Sequence, residues 1–220
     1  MNQWKVTITG ADDNTDPNQL IELSKRFPFV EWGILHSYKR KGTSRYPSDP
    51  WIVRLMQSKS AETHLAIHAC GLFAKEIMNG QCFPWGFARI QINGFDVKKI
   101  SYLNPWGGEY ILQCGDMEKV QRVADFAAQH PDFLFSVLFD VSGGMGLMPS
   151  SWPRPLPGVR MGYAGGIGPS NVRDVLRDIG PVEPTWIDME SGVRTDDQFD
   201  LEKVEEVLRQ VAEFRVQSLT

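Results

Sequence analysis

Eight short β-rich runs recur along the chain, most of them followed by a stretch with helical spacing. No other feature narrows the possible folds as much. The runs are VTITG (6–10), VEWGILHS (30–37), HLAIHACG (64–71), FARIQINGF (87–95), EYILQCG (109–115), FSVLFDV (135–141), MGYAGGI (161–167) and TWIDMESG (185–192). Several are apolar at both alternations, as strands covered on two faces are. They start roughly 22 to 34 residues apart, the length of a strand plus its crossover helix. Asp16-Pro17 and Asp49-Pro50 each read as an N-cap followed by proline at the first helical position. Apolar stripes at helical spacing run through Val120, Val123, Ala124 and Ala127, and through Leu201, Val204, Val207, Leu208 and Val211. Eight such units in 220 residues predict a parallel (β/α)8 TIM barrel. A doubly wound open sheet would have fewer strands and a glycine fingerprint after the first, which here ends in TGADD. No linker, low-complexity tract or internal repeat divides the chain, so residues 1–220 are expected to form one domain. The stretch Gly143–Val159, rich in Gly, Pro and Ser, reads as a long loop of the kind that serves as a lid.

Composition excludes several functions. A net charge of −4 provides no basic field for nucleic acid, and no run is long enough to span a membrane. The opening MNQWKVTITG has no charged and apolar signal-peptide pattern, and the odd, scattered Cys70, Cys82 and Cys114 fit a reducing compartment, so a cytoplasmic location is expected. His64 and His68 are four apart within a strand, on one face but far apart along it, and lack further ligands, so no metal site is expected. With neither GxGxxG nor GxxxxGK[ST] present, no cofactor is expected either. Oligomeric state is not legible.

In a barrel of this type the chemistry sits where strands hand over to helices. The seventh and eighth strands end in AGGIGPSN and MESGVRTD, in the usual position of a phosphate site. Small residues let backbone N–H groups turn toward an anion, and a helix N-terminus adds a favourable dipole. Ordinary loop geometry with tight helix–strand packing is the alternative for Gly165-Gly166.

VLFDVSGGMG, GYAGGIGPSNV and IDMESGVRTDDQFDLEKVEEVL, with TSRYPS (43–48) and RIQINGF (89–95) earlier, together resemble the phosphoribosylanthranilate isomerases, barrels of tryptophan biosynthesis. The resemblance implies an Amadori rearrangement of an aminated phosphosugar. Asp140 would be the general acid, Gly165, Gly166, Ser191 and Gly192 would bind phosphate, and Arg45 would bind the substrate carboxylate. The family's base is a cysteine in a strand-one K-I-C-G segment. Here the segment is T-I-T-G, with Thr9 in the cysteine's place, and a hydroxyl is a far poorer base than a thiolate. Asp12, Asp13, Glu190, His36, His68 and Cys70 are candidate substitutes, each with an ordinary reading as a turn, rim or packed residue. Glu190 stands where the family has serine and Arg194 where it has glutamate, so the arginine is expected to offset the new carboxylate. Trp85, Trp106 and Trp152 could cover a ligand, with packing the default. The expected function is a phosphosugar isomerase with an atypical base. The alternatives are a barrel acting on another phosphorylated metabolite and a non-catalytic protein binding a phosphate-bearing ligand.

Overall fold

The computed structural model describes residues 5–83, 86–180 and 185–217, so Trp85 lies outside the described residues. Its strands are β1 (Lys5–Thr9), β2 (Val30–His36), β3 (His64–Ala69), β4 (Arg89–Ile92), β5 (Glu109–Cys114), β6 (Leu134–Phe139), β7 (Arg160–Ala164) and β8 (Thr185–Met189). They pair in chain order, all parallel, and β8 closes on β1 to complete the barrel. Among the described residues six helices wrap it: α1 (Pro17–Arg26), α2 (Asp49–Ser58), α3 (Leu72–Met78), α4 (Met117–Gln129), α5 (Val172–Ile179) and α6 (Leu201–Gln217). A 3₁₀ helix, Val97–Tyr102, connects β4 to β5. The connection from β6 to β7 has no helix, as its Gly, Pro and Ser content predicts.

Local chemistry explains the helix starts. Asp16 accepts the Asn18 N–H at 3.0 Å ahead of Pro17, and Asp116 accepts the Lys119 N–H at 2.8 Å. Each such cap contributes about 1 kcal/mol. At α2 the Asp49-Pro50 reading is corrected by one residue. Ser48 is the cap, accepting from Trp51 N–H at 3.4 Å, and Asp49 and Pro50 already belong to the helix. Asp13 holds Ser48 in that position, accepting its N–H at 2.9 Å and its hydroxyl at 2.5 Å.

The main core lies between strands and helices. Outward-facing Val6, Ile8, Trp32 and Ile34 pack with Leu20, Trp51 and Leu55 in one buried cluster. The inward alternation is largely polar, contrary to what the apolar runs suggest. At the floor Arg89 pairs with Glu31 at 2.7 Å and Glu109 at 2.9 Å, and Arg160 lies 3.6 Å from Glu109. Thr7 donates to Glu31 at 3.0 Å, and Ser136 donates to Glu109. The guanidinium groups of Arg89 and Arg160 lie 4.6 and 5.1 Å from the Trp186 ring. Above them Ile111, Leu138, Ala164 and Trp186 form a small apolar plug. Gly162 makes room for it, since a Cβ there would lie 2.2 Å from the indole. This floor and plug leave the C-terminal end as the open end of the barrel.

Trp152 packs edge-on against Tyr163 at 5.8 Å, and Trp106 against Tyr110 at 6.1 Å, so both contribute to packing. Among the described residues no helix is long and apolar enough to cross a membrane.

Candidate active site

A cleft of about 510 Å³, counting the space at its open mouth, occupies the C-terminal end of the barrel. Thr9, His68, Gln91, Gln113, Asp140, Asp188 and Glu190 line it, together with Gly165, Gly166 and Ser191.

Asp140 follows β6 directly and is 3 % exposed. Four donors converge on its two oxygens. Oδ1 accepts the Ser142 N–H at 3.0 Å and the Ser142 hydroxyl at 2.8 Å; Oδ2 accepts Gln113 Nε2 at 2.8 Å and the Gly144 N–H at 2.6 Å. The glycines after Asp140 thus let the loop fold back onto its carboxyl group; Gly143 and Gly144 have φ of 61° and 94°.

At the end of β1, the hydroxyl of Thr9 donates to Asp188 Oδ1 on β8 at 2.9 Å. Asp188 is 6 % exposed, and no ion pair reaches it among the described residues. Burial above all, with the negative charges of Glu190, Glu31 and Asp140 and against the Thr9 hydrogen bond that lowers it, leaves its carboxyl pushed up to about 7. His68 is 1 % exposed, and burial, reinforced by the charge of Arg89, pushes its ring down to about 3, so it is neutral. Gln91 directs its NH2 group to His68 Nδ1 at 3.2 Å and to Asn93 Oδ1 at 2.9 Å. An amide NH2 only donates, so Nδ1 accepts and Nε2 carries the ring proton. That Nε2 is buried and has no hydrogen-bond partner. A Cβ added at Gly33 would lie 2.2 Å from Thr9 Oγ1 and 2.8 Å from His68 Nε2, so these atoms flank a gap that tolerates no side chain at position 33.

The glycine pair after β7 has a reason within the fold. Gly165 and Gly166 have φ of 126° and 61°, and a Cβ would lie 2.5 Å from Leu147 O at the first and 3.1 Å from Gly146 O at the second. What comes close to this backbone is the loop after β6. No hydrogen bond from the Gly166 N–H is found among the described residues. Ser191 opens a 3₁₀ turn, Ser191–Val193, straight after β8 and shares the cleft wall with the glycines. Gly192 is packed against the neighbouring loop, where a Cβ would overlap Ile167 O.

The remaining candidates are engaged in holding the rim together. Arg45, at φ 73°, pairs with Glu190 at 2.8 Å and Asp197 at 2.6 Å, and its backbone N–H donates to Asp12 at 2.9 Å. Arg45, and not Arg194, is therefore the counterion of Glu190. Arg194 lies in a short hairpin, β9 (Arg194–Thr195) and β10 (Gln198–Phe199), whose turn residues Asp196 and Asp197 both have positive φ. The hairpin directs Arg194 beneath the loops, where it donates to Gly10 O at 2.7 Å and Ser44 Oγ at 3.1 Å and lies 3.6 Å from Asp12. Asp13 caps α2 through Ser48. Burial raises the Cys70 thiol, against hydrogen bonds from Asn93 and Tyr46 that lower it, and burial lowers His36, which packs against Phe73. Among the described residues no three His, Cys, Asp or Glu side chains group to hold a metal ion.

Asp188 and Gln113 were missed as site residues. The signal for Asp188 was in TWIDMESG, where alternation aims it to the same side as Glu190 two residues on.

No protein-family model and no curated protein matches the sequence. Solved structures match the fold. The chain is similar to TrpF from Jonesia denitrificans, with 15% identity, a TM-score of 0.67, and coverage of 96% of this chain and 98% of that one. It is also similar to phosphoribosyl anthranilate isomerase from Thermotoga maritima, at 14% identity and TM-score 0.59, covering 96% and 99%. Phospho-2-dehydro-3-deoxyheptonate aldolase (DAHP synthase) from the same organism matches at 12% identity and TM-score 0.58, covering 96% of this chain and 69% of that one. Two different named activities at similar scores make this a likeness of fold.

Proposed function

We propose that this barrel binds a phosphorylated sugar bearing an amino substituent at C1 and catalyses its aldose-to-ketose rearrangement, with Asp140 as the acid. The observation that carries the reading is one cleft at the open end of the barrel. It combines two buried carboxyl groups with a rim of glycine N–H groups and Ser191. Phosphate would lie against Gly165, Gly166, Ser191 and Gly192, where backbone N–H groups and the start of a 3₁₀ turn favour an anion. Asp140 would pass a proton to the ring oxygen. The C1–O bond then breaks as the nitrogen lone pair forms C1=N, and a base next removes the proton on C2. The ordered motif likeness and the similarity in fold to the isomerase structures support this reading.

The state of Arg45 favours a second reading, in which the substrate has no carboxylate. Its guanidinium is occupied by Glu190 and Asp197, leaving a substrate carboxylate to compete with two already paired.

The test is the loss of phosphoribosylanthranilate fluorescence with purified protein, beside Asp140→Asn. Turnover that falls by about 10²-fold or more in the variant is expected. Turnover unchanged by Asp140→Asn would remove the acid assignment. Inactive wild type that another phosphosugar stabilises thermally would favour the second reading, and stabilisation without turnover of any candidate a binding protein.

A further inference from the structure

We infer that the general base of this site is Asp188, positioned by Thr9, and that the unpartnered Nε2–H of His68 binds a sugar oxygen beside it. The assignment rests on the proposed function and identifies the group that its chemistry leaves open.

Three independent features of the cleft support it. First, the Thr9 hydroxyl, a poor base in its own right, donates to Asp188 Oδ1 at 2.9 Å and so orients that carboxyl group. The register of β1 on β8, with Thr7 opposite Asp188, brings the two side chains together across the closure of the barrel. The residue at the first strand's end thus orients a carboxylate one strand away. Second, the deepest polar group on the β3 side is a donor without an acceptor. His68 is buried, its tautomer is set by Gln91, and its Nε2–H lies across the Gly33 gap from Thr9. A buried donor left unpaired costs about 1–3 kcal/mol, which a hydroxyl or carbonyl oxygen of a bound sugar would relieve. Third, Asp140, the proposed acid, follows β6 and lines the same cleft, two strands from β8 around the barrel. A substrate held between them would present the ring oxygen to one carboxyl group and C2 to the other.

In the step assigned here, Asp188 takes the proton from C2. The C2–H electron pair becomes the C1=C2 bond, and the C1=N pair returns to nitrogen. The C1=C2 pair then takes up a proton at C1 while the C2 hydroxyl releases its proton and its O–H pair forms C2=O, which yields the 2-keto amine, so the reaction is redox-neutral overall and needs no co-reactant. The base must be ionised before each turnover. The groups facing it are Thr9 from β1, Glu31 from β2, neutral His68 from β3, Asp140 after β6 and Glu190 beyond β8. With no cation among them, its deprotonation should appear as an acid limb in the pH profile of kcat/KM near neutrality.

The test uses the full-length chain and phosphoribosylanthranilate, with inorganic phosphate as the binding probe. Asp188→Asn, which is isosteric, should lower kcat at least 10²-fold while phosphate affinity stays within threefold of wild type. Thr9→Val removes the hydrogen bond that favours the ionised carboxyl, so its acid limb should move to higher pH. His68→Phe should raise KM more than it lowers kcat. Wild-type turnover that Asp188→Asn retains within tenfold would overturn the base assignment while leaving the proposed function standing. An unmoved acid limb in Thr9→Val would remove the positioning role, and an unchanged KM in His68→Phe the binding role. Absence of wild-type turnover of phosphoribosylanthranilate would remove the first reading of the proposed function and this assignment together.

Discussion

The two ends of the barrel interior are both rich in buried charge, yet they handle it in opposite ways. At the floor, Arg89 and Arg160 face Glu31 and Glu109, and Thr7 and Ser136 donate to the same oxygens that Arg89 engages, Glu31 Oε1 and Glu109 Oε1. At the mouth, Asp140 is held by neutral donors and Asp188 by one hydroxyl, while the nearest arginines are drawn outward to the rim. The floor is a neutralised network that closes the barrel. The mouth keeps Asp140 and Asp188 without counterions among the described residues, and burial raises the proton affinity of Asp188 into the range useful for catalysis. Charge buried in a fold therefore indicates function only when its compensation is incomplete.

The largest effect is expected at the floor. Arg89→Met strands Glu31 and Glu109 and should cost about 3–5 kcal/mol in urea unfolding. A loss under about 1 kcal/mol would show that the floor network is not structural.

At the mouth the sign reverses. Asp188 has a folded value of about 7 against about 3.9 unfolded, so between those values the folded state holds a proton that the unfolded state has released. Its contribution to stability is fully present below about pH 4 and is lost as pH rises through about 7. Asp188→Asn should therefore be more stable than wild type at pH 8, by up to about 4 kcal/mol, and should lack that downward slope. Glu109 behaves in the opposite sense. Burial raises its value, but the charge of Arg89, with Ser136 and Arg160, outweighs this and holds it below the ordinary one. Its stabilisation is present above the unfolded value and lost on acidification. Melting temperatures from pH 3 to 9, taken as variant minus wild type, should rise toward alkaline pH for Asp188→Asn and fall for Glu109→Gln; parallel curves would collapse the contrast.

Smaller effects belong to the rim. Gly165→Ala combines φ 126° with a Cβ 2.5 Å from Leu147 O, and should cost about 1–3 kcal/mol in thermal or urea unfolding. Arg45→Met removes a partly exposed pair and should change stability by no more than about 1 kcal/mol at low salt, less at high salt. A larger loss would mean that the rim, like the floor, is a structural network.

The order of elements was legible because strand alternation, helical stripes and N-caps are set by neighbours a few residues apart. Asp16 and Pro17 mark α1, and the Gly and Pro content of 143–159 marks a connection without a helix. Asp140, Gly165, Gly166 and Ser191 were legible as cleft residues from their position at strand ends, and the described structure gathers all of them at one opening. What each touches was not. Thr9 and Asp188 are 179 residues apart, and only the register closing β8 on β1 makes them neighbours. Arg194 and Gly10, 184 apart, meet because a two-residue turn in a hairpin swings the arginine under the rim. Alternation decides which side chains enter the barrel, and so is written locally. Their partners, counterions and proton affinities depend on strand register and depth of burial, which exist only once the barrel has closed.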